Sequence, residues 1–345
     1  MRVVYRLAAG LAQRRHSVSI IHPLIWLGAP SRRRHPVLEL LSWCKHRLLA
    51  DYRPVRWLPL EPQVGLRLVP RISARWIGEA DVLVATSWRT MAAVVALPPR
   101  CGSGMALLQH FEEWDGGREQ VVEAWRLPLR KLAVSRWLCR TAEQLGVRCD
   151  YIGNAVDHDL FFTEKPPEQR TDPLAALMGH SLSWKGTKVA LQALTIARQE
   201  IPKLSAEMFA VELPNLELPE WVHPTIEPMP DQLRGIYNRA QVFLAPSLSE
   251  GWDLPATEAM ACGAALIASD IPVREEYAVH GESALLVPAG NAAEMARAIV
   301  RLLRNPSLRL QLARKGTESA QQLTWEKCVQ RFEQALTETH RHPRQ

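Results

Sequence analysis

The chain has 345 residues, of which 47% are hydrophobic and 23% charged, and it carries a formal net charge of +6. Such a chain is long enough for two globular domains, and its composition excludes an intrinsically disordered protein. No apolar run approaches the ~20 residues of a membrane-spanning helix, and because arginines interrupt the N-terminal stretch we expect that it is not a signal peptide. The six cysteines have neither CxxC nor metal-ligand spacing, so we expect reduced thiols in a cytoplasmic protein and no metal site.

Basic residues are concentrated in the first 150 positions, whereas the rest of the chain is acidic on balance. Within the basic part, Leu41, Cys44 and Leu48 share one face of a predicted helix. Such a stretch is typical of contact with an anionic membrane or an acidic acceptor, and a solvated face is the alternative. No nucleic-acid-binding motif accompanies the charge, so we expect no nucleic-acid partner. The basic residues of the stretch from 32 to 56 are Arg32, Arg33, Arg34, Lys45, Arg47, Arg53 and Arg56.

Short apolar runs in the first half of the chain predict buried strands of a parallel sheet. They cover residues 17–23, 80–87, 104–110, 131–135 and 149–154. The acidic segment QHFEEWDGG follows the third run. We consider two interpretations of this segment, a loop that binds an acceptor and an exposed acidic turn.

The second half alternates predicted strands with predicted helices. The strands cover residues 174–180, 204–211, 240–247, 263–270 and 283–289, and helical patterns lie at 187–199, 231–240, 256–262 and 292–304. The polar, proline-rich segment 164–173 predicts a linker. An amphipathic helix is predicted over 323–336, with Thr324 as its N-cap.

This order of elements predicts an α/β protein with two doubly wound, Rossmann-like domains that face a central cleft. The N-terminal domain is predicted over 1–153 and the C-terminal domain over 154–323. A C-terminal helix over 324–345 is expected to pack back towards the N-terminal domain. Because ligands of open parallel sheets bind beyond the carboxyl ends of the strands, we expect the chemistry in the cleft.

The segment SEGWDLPATEAMACG (249–263) carries two carboxylates eight positions apart, Glu250 and Glu258. Pro255 suits the first turn of a helix, and Gly263 suits the C-terminal cap of that helix. We expect the N–H groups of residues 252–256 to be free at this helix start, where they favour an anion, above all phosphate. With a carboxylate on either side, the pattern predicts a ligand that has hydroxyls at both ends and phosphate in the middle. A nucleotide sugar fits this description.

A second anion site is predicted from GHSLSWKGTKVALQAL (179–194). A strand ends at Gly179, a loop carries Lys185 and Gly186, and a helix begins at Thr187. A lysine is a mobile point charge that neutralises a diphosphate, and the helix dipole adds to this effect. A solvated lysine is the alternative interpretation for this segment taken alone.

With these motifs, the sequence resembles the retaining glycosyltransferase family 4, which has the GT-B fold. The segment around the two glutamates resembles the E-x7-E signature of the family, and four other segments resemble further motifs. The five segments are PSLSEGWDLPATEAMACGAALIASD (246–270), YIGNAVDHDLF (151–161), GHSLSWKG (179–186), HGESALLVPAGN (280–291) and LAAGLAQRRHSVSII (7–21). The resemblance extends over essentially the whole chain.

The resemblance implies transfer of a sugar from a nucleotide donor, with retention at the anomeric carbon and without a metal or another cofactor. Glu258 would hold the ribose hydroxyls, Lys185 the diphosphate and Glu250 the donor sugar. His110 would approach the donor sugar from the N-terminal domain. The other implied donor-binding residues are Gly179, His180, Gly251, Trp252, Asp253 and Leu254.

The sequence departs from the family pattern at several positions. Met1 falls almost at the first helix, so the first strand and its glycine-rich turn are expected to be absent, or the start site to be misplaced. His180 stands where the family usually has arginine, and this predicts a weaker, pH-sensitive diphosphate contact. Asp253 stands where a small residue is usual, so we expect its side chain to point away from the phosphates. Ala155 replaces a glycine.

The function predicted from the sequence is a cytoplasmic hexosyltransferase for polysaccharide or glycolipid synthesis, placed at the inner face of the membrane by its basic half. The donor is a UDP- or GDP-linked sugar, and the acceptor is a glycan or a lipid-linked glycan. Two alternatives remain open. One is a nucleotide-sugar epimerase or phosphorylase of the same fold, and the other is a degenerate binding or regulatory subunit without catalytic activity.

Overall fold

The computed structural model describes residues 2–23, 61–213 and 216–341. The chain divides into two compact units, one comprising Met1–Asn154 with Trp325–Gln345 and the other comprising Ala155–Thr324. The basic stretch from Arg32 to Arg56, including its predicted apolar face, lies outside the described residues. Among the helices that the structure describes, none has the length and apolar character needed to cross a membrane.

The first unit contains two parallel sheets. Its first sheet pairs β1 with β2, and Val18 lies opposite Val64. Its second sheet has four strands in the order β3-β4-β5-β6. The elements are α1 (Arg2–Gln13), β1 (Val18–Pro23), β2 (Val64–Val69), α2 (Ala74–Ile77), β3 (Val82–Ala85), α3 (Trp88–Val95), β4 (Ser103–Leu108), α4 (Arg118–Arg126), β5 (Arg130–Ala133), α5 (Arg136–Gln144) and β6 (Cys149–Tyr151).

The second unit is a six-stranded parallel sheet with helices between its strands. The strand order is β12-β11-β10-β7-β8-β9, which is the order of a doubly wound dinucleotide-binding sheet. Its elements are β7 (Leu174–Met178), α6 (Thr187–Glu200), β8 (Ser205–Ala210), β9 (Val222–Ile226), α7 (Pro230–Arg239), β10 (Val242–Ala245), α8 (Leu254–Ala261), β11 (Ala265–Asp270), β12 (Ala284–Pro288), α9 (Ala292–Arg304) and α10 (Pro306–Gln321). The predicted parallel α/β class is therefore confirmed in both units.

The central strands of the second unit are predominantly apolar because helices cover both faces of the sheet. Leu177 of β7, Leu244 of β10 and Ile267 of β11 are each fully buried. Short side chains, such as the alanines at 190 and 193 of α6, let the helices approach the sheet closely. This packing holds the carboxyl ends of β7 and β10 side by side.

The C-terminal helix α11 (Trp325–Arg341) belongs to the first unit. A Cβ atom at Gly10 of α1 would collide with Val329, so the glycine allows the two helices to pack closely. Glu333 of α11 accepts hydrogen bonds from Arg14 at 2.6 Å and from His16 at 2.7 Å. The tail of the sequence thus completes the first unit.

The prediction of a linker over residues 164–173 is wrong. This segment lies inside the second unit, where Arg170 is 2% exposed. The Arg170 guanidinium donates to the backbone oxygens of Ala240 at 2.8 Å and Tyr237 at 3.2 Å. The prolines and charges that favoured a linker instead form a strap, which this one buried arginine fixes by bonding to carbonyl groups at the ends of α7 and α8.

Candidate active site

The candidate site lies at the topological switch point of the second unit. Strands β7 and β10 are neighbours, and the chain leaves them towards opposite ends of the sheet. Ligands of doubly wound sheets bind at the carboxyl ends of the strands at such a point. The loop 179–186 follows β7 and the loop 246–253 follows β10, and both of the motifs singled out in the sequence fall on them.

Backbone contacts join these two loops. The Leu248 N–H donates to the Trp184 carbonyl at 2.7 Å. Gly186 has a φ of +72°, and a Cβ atom there would collide with the backbone of Pro246. Glycine is therefore required at this position both by the left-handed backbone and by the close approach of the second loop. Helix α6 begins at the next residue, Thr187.

Lys185 and Glu250, predicted separately on the two loops, form an ion pair in the structure. The Lys185 Nζ lies 2.7 Å from Glu250 Oε1, and the two side chains are 15% and 5% exposed. The Ser247 hydroxyl donates to the same oxygen at 2.8 Å. The ammonium also lies 4.5 Å from the centre of the Trp184 ring. The predicted diphosphate-binding cation is therefore already neutralised by the predicted sugar-binding carboxylate.

Burial raises the pKa of Glu250, and the negative charge of Asp253 raises it further. The charge of Lys185 and the hydrogen bonds from Lys185 and Ser247 act in the opposite direction. The carboxylate thus depends on Lys185 to remain ionised in a buried position.

The start of helix α8 differs from the prediction of free N–H groups. Asp253 is the N-cap of α8, and its Oδ1 accepts from the Ala256 N–H at 3.4 Å. The other carboxylate oxygen, Oδ2, lies 2.6 Å from the Arg274 guanidinium, and both side chains are at most 5% exposed. The prediction that every N–H of residues 252–256 is free is wrong at Ala256, because a carboxylate from the chain itself caps the helix.

Glu258 lies one turn into α8 and is 2% exposed. Its Oε2 accepts a hydrogen bond from the Tyr237 hydroxyl at 3.1 Å. Tyr237 is fully buried on α7 and packs its ring edge-on against Phe209 and Phe243, with centroids 5.5 Å away in each case. An aromatic cluster beneath the site therefore fixes one oxygen of this carboxylate.

The remaining motif residues lie on the same loop. Gly251 is buried and directly follows Glu250, and Leu254 is the first residue of α8 and is half-buried. Trp252, which we expected near the donor, is 3% exposed and packs at a tilt against Tyr277 with ring centroids 5.7 Å apart. The indole thus anchors the loop in the protein interior.

Gly179 and His180 lie directly after β7. The His180 N–H donates to the Thr187 hydroxyl at 2.9 Å, and the His180 Nδ1 accepts from the Leu182 N–H at 3.0 Å. Burial lowers the pKa of His180, and the nearby Lys185 charge lowers it further. The imidazole therefore serves as a neutral brace of the loop at neutral pH, with Nδ1 as an acceptor.

His110 follows β4 in the first unit, so it is not brought together with the other predicted residues within one unit. Its ring lies edge-on to Trp114, with centroids 4.4 Å apart, and 6.4 Å from the ring of Trp137. Its proposed contact with a donor sugar stays a prediction.

The acidic segment after His110 supports the start of helix α3. Glu112 accepts from the Trp88 N–H at 3.0 Å, and burial raises the pKa of this carboxyl group. Asp115 is held by the side chain of Arg89 at 2.6 and 2.8 Å. Glu113 lies 3.5 Å from the Arg118 guanidinium, so all three acidic residues are engaged with neighbouring backbone or arginine, which differs from a freely exposed turn.

Sequence reasoning missed four residues that shape the site, namely Ser247, Tyr237, Thr187 as a hydrogen-bonding partner, and Arg274. Ser247 lies three residues before Glu250, a spacing that a sequence search for hydroxyl donors would find. Arg274 has no such signal, because it lies 21 residues from Asp253 and meets it only in the fold. Within the described ranges, no cluster of three or more His, Cys, Asp or Glu side chains is arranged to hold a metal ion.

Residues 161–319 match the family model described as "Glycosyl transferases group 1". Over this segment, which is slightly less than half of the chain, the sequence is similar to the glycosyl transferases group 1 family. The match covers most of the second unit and includes both loops of the switch point.

Curated relatives of the chain carry glycosyltransferase names. The phosphatidyl-myo-inositol mannosyltransferase of Mycobacterium leprae is 38% identical over 87 residues, which cover 25% of this chain and 23% of the relative. The chain covers less than a third of the length of the leading curated relatives.

Solved glycosyltransferase structures resemble this chain over nearly its whole length. Sucrose-phosphate synthase from Thermosynechococcus elongatus matches with a TM-score of 0.72 and 17% identity, covering 97% of this chain and 92% of that structure. HepE from Anabaena, in complex with UDP and glucose, matches with a TM-score of 0.70 and 14% identity, covering 93% and 99%. At these identities the likeness shows the fold, which is the GT-B fold predicted from the sequence.

Proposed function

We propose that this protein is a group 1 glycosyltransferase, which transfers a hexosyl group from a UDP- or GDP-sugar to a glycan or lipid-linked glycan acceptor, with retention of configuration. The single observation that carries the proposal is the convergence of Lys185, Glu250 and Glu258 at the switch point of the second unit. A half-buried cation in a site with two buried carboxylates matches a ligand with central phosphates and hydroxyls on both sides.

Each residue has a separate role in the proposal. Lys185 neutralises the diphosphate and the charge that develops on it as the sugar departs. Glu258 accepts hydrogen bonds from the ribose hydroxyls, and its orientation is fixed by Tyr237. Glu250 accepts from the hydroxyls of the donor sugar once Lys185 has turned to the phosphates. The role of His110 at the donor sugar belongs to the same proposal and rests on the family resemblance alone.

The proposed reaction breaks the bond between the anomeric carbon and the diphosphate oxygen and forms a bond from that carbon to the acceptor oxygen. The acceptor loses its proton to the departing diphosphate on the same face of the sugar, which gives retention. In this scheme the protein supplies positioning and electrostatic stabilisation, and it requires neither a metal nor a nucleophilic side chain.

The comparisons support the chemical class. HepE was solved with UDP-glucose and with UDP and glucose, and the mannosyltransferase relative is named for a phosphatidyl-inositol acceptor. A lipid-linked acceptor also agrees with the basic first half of the chain, which we propose contacts the inner face of an anionic membrane. Flotation with phosphatidylglycerol vesicles tests this contact, and the proposal is wrong if the chain stays unbound at low salt.

A transfer assay tests the function. The purified chain is incubated with UDP- or GDP-hexoses and a panel of glycan and polyprenyl-linked acceptors, and the anomeric configuration of the product is read by NMR. We expect transfer that is lost in Lys185→Ala and kept in Lys188→Ala, which removes an exposed lysine three residues along the chain. Donor consumption without an acceptor would favour the epimerase instead. Equal activity of the two lysine variants would contradict the site.

A further inference from the structure

A buried arginine outside every recognised motif fixes the glutamate loop. Arg274 lies in the short 3-10 helix Pro272–Glu276, directly after β11, and is 1% exposed. Its guanidinium donates to the Ala245 carbonyl at the end of β10 and to the Ser269 carbonyl in β11, each at 3.2 Å. It also bonds to the Asp253 carboxylate at 2.6 Å. One side chain therefore joins two neighbouring strands to the loop at the switch point.

Asp253 depends on this arginine in two ways. Its φ is +79°, a left-handed conformation that is unfavourable for residues other than glycine and is tolerated best by Asn and Asp. Its charge is buried, and a buried carboxylate without a partner is strongly destabilising. The Arg274 guanidinium neutralises the charge, and the two bonded carboxylate oxygens hold the backbone in place.

The same network reaches the residue before Asp253. The Tyr277 hydroxyl accepts a hydrogen bond from Arg274 and donates to the Trp252 carbonyl at 3.2 Å. The backbone from Trp252 to the first turn of α8 is thus set from one side by Arg274, both directly and through Tyr277.

We propose that Arg274 is a positioning residue for donor binding, which acts by holding the Asp253 carboxylate against the core and away from the phosphates. This inference rests on the proposed function, because the phosphates are those of the nucleotide donor. Without Arg274 the carboxylate stands uncompensated at the start of α8, where a diphosphate benefits from the helix dipole. The negative charge that caps the helix then repels the ligand.

The test compares Arg274→Met with Arg274→Met/Asp253→Asn in the full chain. Asparagine tolerates the left-handed backbone and keeps an oxygen for the Ala256 N–H, but it carries no charge. The dissociation constants of UDP and GDP are measured by calorimetry, well below the thermal midpoint of each variant. We expect Arg274→Met to bind about tenfold more weakly or worse than wild type, because an uncompensated charge lies near the diphosphate.

The double variant separates positioning from simple loss of structure. We expect it to bind within about threefold of wild type, since the repelling charge has been removed. If Arg274 matters only for stability, the second substitution does not restore affinity, and that result overturns the proposal. Should Arg274→Met fail to fold, Arg274→Lys replaces it. Lysine keeps the charge beside Asp253, so affinity is expected to survive a fall in stability, and a parallel loss of both would overturn the proposal.

A ligand-free measurement distinguishes failure of this inference from failure of the proposed function. Hydrogen exchange of the amides in residues 250–257 is followed without nucleotide in wild type and Arg274→Met. We expect faster exchange in the variant, because the anchor of Asp253 is lost. Unchanged exchange overturns the positioning role even where UDP or GDP binds. If exchange is faster in Arg274→Met but the wild-type chain binds neither nucleotide, the positioning role stands and the proposed nucleotide-sugar donor is overturned instead.

Discussion

The Lys185–Glu250 ion pair leads to an unusual prediction, namely that removing the negative charge of Glu250 strengthens the binding of a nucleoside diphosphate. In the structure the lysine is neutralised by the carboxylate at 2.7 Å. A diphosphate therefore competes with Glu250 for the same ammonium group. Glu250→Gln keeps the size of the side chain and its ability to accept a hydrogen bond, but it releases the lysine charge for the ligand.

The magnitude follows from the geometry of the pair. At 2.7 Å, an effective dielectric constant of about 20 gives an attraction of about 6 kcal/mol before solvation is considered. The cost of removing both charges from water offsets most of this attraction. We take about 1–2 kcal/mol as the net competition, which corresponds to about five- to thirtyfold tighter binding of UDP or GDP.

Calorimetric titration of the free nucleoside diphosphates measures this effect, since the sugar is absent and cannot mask it. Ser247→Ala is the matched control, because it removes the other hydrogen bond to Glu250 without changing the charge. We expect the control to bind nearly as wild type does. Sugar transfer by Glu250→Gln is expected to fall although nucleotide binding improves. Weaker nucleotide binding by Glu250→Gln would refute the competition.

Three further predictions concern the same unit. Gly186→Ala is expected to lower the free energy of unfolding in urea by about 2–4 kcal/mol, because the new side chain strains the backbone and collides with the facing loop. Gly281→Ala, also at positive φ but in open space, is expected to lower it by only about 1 kcal/mol. Tyr237→Phe removes the hydroxyl that donates to Glu258, so the unfolding free energy is expected to fall by about 1–3 kcal/mol, with weaker nucleotide binding by calorimetry. The lowered pKa of His180 means that the unfolded chain takes up this proton first as the pH falls through 6.5. Wild type should therefore lose more stability than His180→Gln between about pH 7 and about pH 5, and equal losses would contradict this.

The elements with a clear periodicity were predictable from the sequence. Helix α9 occupies the predicted residues, Ala292–Arg304, and the strands around the switch point are continuous apolar runs. Strand β9 was missed because Pro224 lies in its middle. It forms an edge of the sheet, where a proline is tolerated because no further strand needs its N–H group.

Helix α10 was missed although Asn305 caps it and Pro306 occupies its first position. Gly316, inside the helix, weakens the helical pattern. The fold gives the reason for this glycine, because a Cβ atom there would lie 3.2 Å from the Ser283 carbonyl oxygen. A tertiary contact thus overrides local propensity, and such a contact is not visible in a single sequence.

Three charged residues of the candidate site were predictable, but their pairing was not. Glu250, Lys185 and Glu258 follow from the order of strand, loop and helix. Their charge balance does not, because the Lys185–Glu250 and Arg274–Asp253 pairs join positions that are 65 and 21 residues apart. The sequence therefore indicated what the site could bind, whereas the fold shows which of its charges are paired.

A calorimetric titration of the full chain with UDP and GDP, beside Glu258→Ala, tests whether the switch point binds a nucleotide. We expect one of the two nucleotides to bind to wild type, and this binding to be lost or strongly weakened when the buried carboxylate on α8 is removed. Binding that is unchanged in Glu258→Ala, or no binding of either nucleotide to a folded wild-type chain, would contradict a nucleotide-sugar site at the β7–β10 switch point.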